Sequence, residues 1–264
     1  MKAYDIFDND LKKSVGTLLY YEKSRAFIVE LEDWLDEWTA PLMFTGFVKR
    51  GIYTVAREES ELWVRSRIIP PGRQNIQSIL ATHKLKEYSE ISFLEMSGGR
   101  CSQDAIEITP LGSLPEYVTD REKHNLKEAV LCEKALLCFF NDGCMKKINI
   151  EKLAESDDSY RHLDNEIIQR SCAVGVGGYS LSFGGALDIP AGVLYEWSQS
   201  ENITLSDFRA FVVNNILDTT ETCRLASCSR QNLAYLVGQE QLHTIRANVK
   251  GNLYIKGDVL SMLW

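Results

Sequence analysis

The 264-residue chain contains no run approaching the roughly 18–20 apolar residues that a membrane-spanning helix requires. Its opening, Met1-Lys2-Ala3-Tyr4-Asp5-Ile6-Phe7-Asp8, is broken by acids at once, so no secretory leader is expected. A soluble, cytoplasmic protein without membrane contact follows as the expectation. The seven cysteines are odd in number and none forms C-x-x-C. Cys132, Cys138 and Cys144 recur evenly, but structural zinc uses paired spacings, and most of the cysteines lie in apolar stretches. Buried free thiols in a reducing compartment are expected, and no metal site.

The usual catalytic signatures are missing too. His83, His124, His162 and His243 belong to no H-E-x-x-H motif. Gly175-Val176-Gly177-Gly178 lacks the Lys-Ser/Thr pair of a phosphate loop and the third glycine of a dinucleotide loop. The residues after it, Tyr179–Phe183, alternate like a strand, so these glycines read as a hairpin turn. Gly178-Tyr179-Ser180-Leu181 runs into Ser182 where a hydrolase elbow needs glycine. No catalytic residue and no cofactor is assigned, and the chain is not expected to be an enzyme.

What is present is ordinary globular composition, 45% hydrophobic and 25% charged, which excludes wholesale disorder. The pattern predicts an α+β protein of three domains. Residues 1–128 form an N-terminal α+β domain. Leu18–Tyr21 and Ala26–Leu31 read as a hairpin, and an acidic-aromatic surface stretch covers residues 32–38. Pro70-Pro71-Gly72 is a break, and Asn75–His83 is a helix with Ile76, Ile79 and Leu80 on one face. Ser92–Met96 and Ala105–Ile108 read as strands, and Glu122–Glu133 as a helical connector. Arg65, Arg67 and Arg73 flank the proline turn as solvated surface. Residues 129–200 form a small α+β domain. The strand Ala135–Phe140 turns at Asn141-Asp142-Gly143 into a return strand, and further short strands separated by glycines follow a helical stretch. Residues 201–264 form the third unit, in which Ser206 caps a helix whose Phe208, Phe211, Val212 and Ile216 make its apolar face.

Within that unit, Thr219–Val237 carries two helical patterns separated by a turn at Ser227-Cys228. Cys223 and Ala226 are small enough for a second helix to cross closely, and Ser229 stands at the N-cap of that helix. Leu233, Leu236 and Val237 face inward, leaving Arg230, Gln231, Ala234 and Tyr235 outward. Arginine and glutamine in the first turn suit major-groove reading, because both side chains contact base edges bidentately. Leu242 and Ile245 return the chain to the core, Val249–Ile255 reads as a hairpin with Lys250 at its tip, and Asp258 caps a last helix over Val259–Leu263.

Residues 217–260 resemble the excisionase-type, MerR-like winged helix-turn-helix family. Ser229-Arg230-Gln231 matches its recognition-helix start and Leu242–Arg246 its following segment, although His243 replaces the usual proline and Gln239-Glu240 the usual Glu-Gly. Residues 134–197 resemble a small bacterial α+β module found beside helix-turn-helix domains, through Phe140-Asn141-Asp142-Gly143, Leu153, Tyr179–Phe183, Leu187-Asp188-Ile189-Pro190 and Leu194-Tyr195. Residues 1–110 are similar to the N-terminal subdomain of HipA-like proteins through Phe93–Cys101, without that family's kinase motifs.

The resemblance implies a bacterial or phage-related transcriptional regulator that binds double-stranded DNA. Ser229, Arg230, Gln231, Tyr235, Arg246, Lys250 and Asn252 would make the contacts. The net charge of −8 argues against nucleic acid only in bulk. Residues 219–264 hold five basic and three acidic side chains, so this segment carries +2 and the remainder −10. That modest excess makes a homodimer presenting two copies the expectation. The alternatives are a protein-interaction adaptor, antitoxin-like, using the helix-turn-helix for docking, and a sensor or enzyme with a pocket in the first domain. The N-terminal domain remains open to a protein partner in either case.

Overall fold

The structure is a computed structural model and describes residues 1–132, 134–246 and 251–263. Helices and small antiparallel sheets alternate along the chain, an α+β architecture. No helix among the described residues is long and apolar enough to cross a membrane. The chain divides into two compact units, Met1–Thr119 and Asp120–Trp264.

In the first unit β1 (Lys2–Asp8), β2 (Lys13–Tyr21) and β3 (Ala26–Leu31) form a meander. The expected hairpin is its second half. After α1 (Thr45–Val48), β4 (Thr54–Val55) joins the edge of β3, and α2 (Arg57–Ser66) packs over that strand. Trp63 and Val64 of α2 are buried in a core with Leu18, Phe27, Val29 and Phe44. The expected helix after the prolines is α3 (Ile76–Thr82), with Ile76 and Leu80 buried. Ser92–Met96, expected as a strand, is instead the body of α4 (Glu90–Ser97). Ser89 caps it by accepting the Ser92 N–H, and Gly98 ends it in the left-handed conformation at φ 61°. This start signal and this stop signal outweigh an apolar run too short to declare its own period. β5 (Ile106–Pro110) closes the sheet beside β1, giving the order β4-β3-β2-β1-β5.

The division between the units falls inside α5 (Glu116–Glu122). The chain then enters β6 (Leu126–Cys132), so the connector helix expected over Glu122–Glu133 is a strand for its second half. The boundary expected at 128/129 lies within this strand, which pairs with β7 (Ala135–Phe140), itself paired with β8 (Met145–Asn149).

A register shift between Leu126 and Glu128 reverses the phase of β6. Leu126, Ala129 and Leu131 join one core, shared with Leu136, Cys138, Leu181 and Phe183. Val130 and Cys132 join another on the opposite face, with Leu137, Phe139, Ala210 and Phe211. The three evenly spaced cysteines are separated accordingly: Cys132 and Cys138 are buried in different cores, and Cys144 is exposed in a turn. The first core is completed by α6 (Ile150–Ser156), α7 (Glu166–Arg170), the sheet β9 (Cys172–Val174), β10 (Ser180–Phe183), β11 (Leu187–Pro190), and α8 (Ala191–Tyr195). The Gly175–Gly178 turn leads into β10, as a hairpin rather than a phosphate loop. Gly178 is at φ 74°, and a Cβ there would lie 2.1 Å from the Leu126 carbonyl oxygen.

The opposite face of β6 is covered by α9 (Leu205–Asn215). Its cap is Thr204, not Ser206: Thr204 Oγ1 accepts the Asp207 N–H while Asp207 accepts the Thr204 N–H, a reciprocal pair. The expected apolar face is also turned around. Phe211 stacks near Phe139 with ring centroids 5.1 Å apart, but Phe208 and Val212 are exposed. The inward face carries Asp207 and Asn215 instead, and Lys147 Nζ donates to Asp207 at 2.8 Å. β12 (Ile216–Leu217), α10 (Thr219–Leu225), α11 (Arg230–Gly238), β13 (Tyr254–Ile255) and α12 (Lys256–Ser261) follow.

Candidate nucleic-acid interface

Asp218 starts α10 by accepting the N–H groups of Thr220 and Glu221, and Glu221 returns an acceptor to the Asp218 N–H at 2.9 Å. α10 ends in a left-handed turn at Ser227, φ 50°. There the Cys228 N–H reaches back to the Cys223 carbonyl at 3.0 Å and the Ser227 N–H to that of Arg224 at 3.3 Å. This is the Schellman pattern, in which an apolar contact between the flanking residues secures the turn. Cys223 and Cys228 supply that contact here. Burial, and then the adjoining Cys223 thiol, hold the Cys228 thiol above its ordinary pKa, so Cys228 is not a ready nucleophile.

Ser229 begins α11 as expected, its Oγ accepting the Asn232 N–H at 3.2 Å. Leu233 is buried against Leu242, Tyr254 and Val259, with Leu225, Ala226 and Val237 packed around them. Anchoring Leu233 leaves the first turn and the opposite side of α11 in solvent. Arg230, Gln231, Ala234 and Tyr235 are all exposed there. Arg230 donates from Nη2 to Thr220 Oγ1 at 3.2 Å, which ties the guanidinium to the preceding helix. Thr220 carries no motif signal; only its placement ten residues before Arg230 across a short turn reveals it.

The segment after α11 differs in detail from expectation. Leu242 enters the core but Ile245 is exposed. The Ile245 N–H donates to the Leu253 carbonyl at 2.7 Å and the Leu253 N–H to the Arg246 carbonyl at 3.1 Å, an antiparallel bridge that leaves Arg246 exposed. Lys250 lies outside the described residues. Asn252 is half-buried and committed to the scaffold: its backbone exchanges hydrogen bonds with Thr219 Oγ1, and its amide reaches Tyr254 Oη. Tyr254 and Ile255 then pair with Leu217 and Ile216. The last helix starts at Lys256, after Ile255 as its cap, so Asp258 lies in its first turn and not at its cap. Lys127 Nζ pairs with Asp258 at 3.0 Å.

Ser229, Arg230, Gln231 and Tyr235 therefore come together on one side of α11, Arg246 is exposed on the bridge, and Asn252 faces inward. Of the arginines expected as solvated surface, Arg67 is instead buried. Arg65 pairs with Glu61 and Glu90, and Arg67 is buried against Asp104. A depression of about 270 Å³ in the second unit, lined by Lys147, Asn149, Glu201 and Asp207, contains the closed Lys147–Asp207 pair. No family model, no curated protein and no solved structure matches this chain.

Proposed function

We propose that the chain is a sequence-specific DNA-binding protein, acting as a transcriptional regulator through a winged helix-turn-helix over residues 217–260. α10 and α11 would be the helix pair, α11 the recognition helix, and the Arg246–Leu253 bridge the base of the wing. The observation that carries the reading is the division of α11. Leu233 and the Ser229 cap fix the helix from one side, while Arg230, Gln231 and Tyr235 stand exposed together at its start and along its length.

That arrangement suits direct readout. Arg230 can bridge two acceptors of guanine and Gln231 the donor–acceptor pair of adenine, while Tyr235 covers a thymine methyl or a phosphate one turn further along. Arg246, beside the groove, would neutralise phosphate without reading sequence. Thr220 holds the Arg230 guanidinium before contact, which lowers the side-chain entropy lost on binding.

Selection of bound fragments from random duplex DNA by the full chain tests the reading. A defined sequence motif is expected. Arg230→Ala together with Gln231→Ala should erase the motif, whereas Arg246→Ala should weaken binding evenly across sequences and reduce its salt dependence. A wild-type chain that enriches no motif overturns the proposal.

A further inference from the structure

The outward side of α9 carries a run of apolar side chains in solvent. Leu205 is 65% exposed, Phe208 59%, Val212 41% and Val213 79%, and Ile203, just before the helix, is 47% exposed. Leu205, Phe208 and Val212 follow the i, i+3, i+7 spacing of one helix face, with Val213 beside Val212. The inward side packs Ala210 and Phe211 on the core but also holds Asp207, which pairs with Lys147 and Thr204, and Asn215, whose amide donates to the Phe211 carbonyl at 3.2 Å. An amphipathic helix in a finished surface keeps its outward face polar.

We propose that this face of α9 docks against the same face of a second copy of the chain, forming a two-fold dimer. Area and charge both select a second copy. The exposed side chains amount to roughly 550 Å² per copy, near the upper limit for the largest apolar patch on a monomer. With the flanking Ser206, Arg209 and Asn214 they approach the roughly 800 Å² per partner of a standard interface. Charge excludes most other routes of self-association. Each copy carries −8, so acidic surfaces repel one another, whereas this face holds Arg209 as its single charged side chain. Two negatively charged molecules can approach here without burying like carboxylates. A two-fold axis places the same residues on both sides, and a stripe of Leu, Phe and Val is complementary to itself.

The position of the helix gives the dimer a use, and this part rests on the DNA-binding reading above. α9 runs through Ile216-Leu217 and the Asp218 cap directly into α10. A pair joined at α9 therefore carries two copies of α11, which a segment of only +2 requires for tight binding.

Sedimentation equilibrium of the full chain without DNA tests the proposal. A reversible dimer is expected for the wild type. Val213→Glu should raise its dissociation constant at least roughly a hundredfold, because it buries an unpaired carboxylate against its own copy. Phe208→Ala should raise it about tenfold through lost contact area. Neither variant should change the circular dichroism spectrum, since both side chains are exposed in the single chain. A wild type that remains monomeric at its highest soluble concentration overturns the proposal, as does a dimer that survives both Val213→Glu and Phe208→Glu. Because association is read without DNA, an absence of sequence preference would remove the DNA-binding reading and leave this surface standing.

Discussion

Replacing Glu128 by Gln should stabilise the protein at alkaline pH and leave it almost unchanged near pH 4. The register shift in β6 turns Glu128 away from the first core and toward α12. There it is 4% exposed, and its Oε2 meets no well-formed hydrogen-bond partner among the described residues. Gly257 makes room for it: a Cβ at that position would lie 2.6 Å from Oε2. Burial is the main cause that raises its pKa from the usual 4.5 to about 7. Asp258 adds to the rise, and Lys256 and the N–H groups of Ala129 and Gly257 only partly oppose it. The folded chain therefore keeps this proton up to about pH 7, while the unfolded chain releases it near 4.5. Between those values the native state holds one more proton, so stability falls as pH rises. The slope is about 1.4 kcal/mol per pH unit, and the whole loss is about 3 kcal/mol.

Glutamine has the shape of the protonated acid and cannot ionise. Urea unfolding of wild type and Glu128→Gln at pH 4, 5, 6, 7 and 8 should give a difference near zero at pH 4. It should grow to about 3 kcal/mol in favour of the variant at pH 8. Glu122, whose pKa burial also raises, and the histidines are common to both proteins and cancel in the difference. Gly257→Ala identifies which transition to follow. The added methyl would meet Glu128 Oε2 and, at 3.0 Å, the Lys127 carbonyl, at a cost of about 2 kcal/mol. A difference between wild type and Glu128→Gln that does not vary with pH would refute the reasoning, as would a variant less stable at pH 8.

In the first unit, Asp104→Asn should cost about 3 kcal/mol in urea unfolding. The change leaves Arg67 buried over Trp63, with its charge matched only by neutral acceptors such as the Gly99 carbonyl at 2.9 Å. Burial alone would raise the Asp104 pKa, but Arg67 and the Ile106 N–H overcome it and hold the acid below its usual value. Its contribution is therefore present above the usual carboxylate range and lost as pH falls through the folded pKa, so the variant should narrow its deficit only in strong acid. Gly178→Ala should destabilise by more than about 3 kcal/mol, combining a strained backbone at φ 74° with a clash against the Leu126 carbonyl, and a melting temperature within a degree or so of wild type would contradict it. Ser229→Ala should cost about 1 kcal/mol in thermal unfolding by freeing the Asn232 N–H, and unchanged stability would show that the cap bond is not formed in solution.

The sequence was most legible where local signals agreed. The hairpin at β2–β3, the Asp142-Gly143 turn between β7 and β8, and the Ser229 cap each join a turn residue to a matching apolar period. It was least legible where a distant partner set the outcome. β6 reads as a charged helix because its phase reverses at the bulge, and the reversal makes sense only with β7 on one side and α9 and α12 on the other. α9 reads as burying Phe208 and Val212 because no local pattern shows that Lys147, sixty residues earlier, will hold Asp207 inside. Ser92–Met96 lies between these cases: Ser89 and Gly98 were visible as helix signals, but they bracket a run whose period is ambiguous by itself.

The same distinction bears on charge, which a count along the chain underestimates at the C-terminal segment. Of its three acids, Glu221 and Glu240 are exposed and Asp258 is half-buried. Glu221 completes the cap of α10, and Asp258 is neutralised by Lys127 from a strand far away in sequence. Arg224, Arg230 and Arg246 are exposed. The Lys127 pairing offsets one of the three acids, so the surface of this module has a more positive field than +2 suggests. The local charge is therefore set by the capping and pairing that build the fold, which a count along the chain does not show.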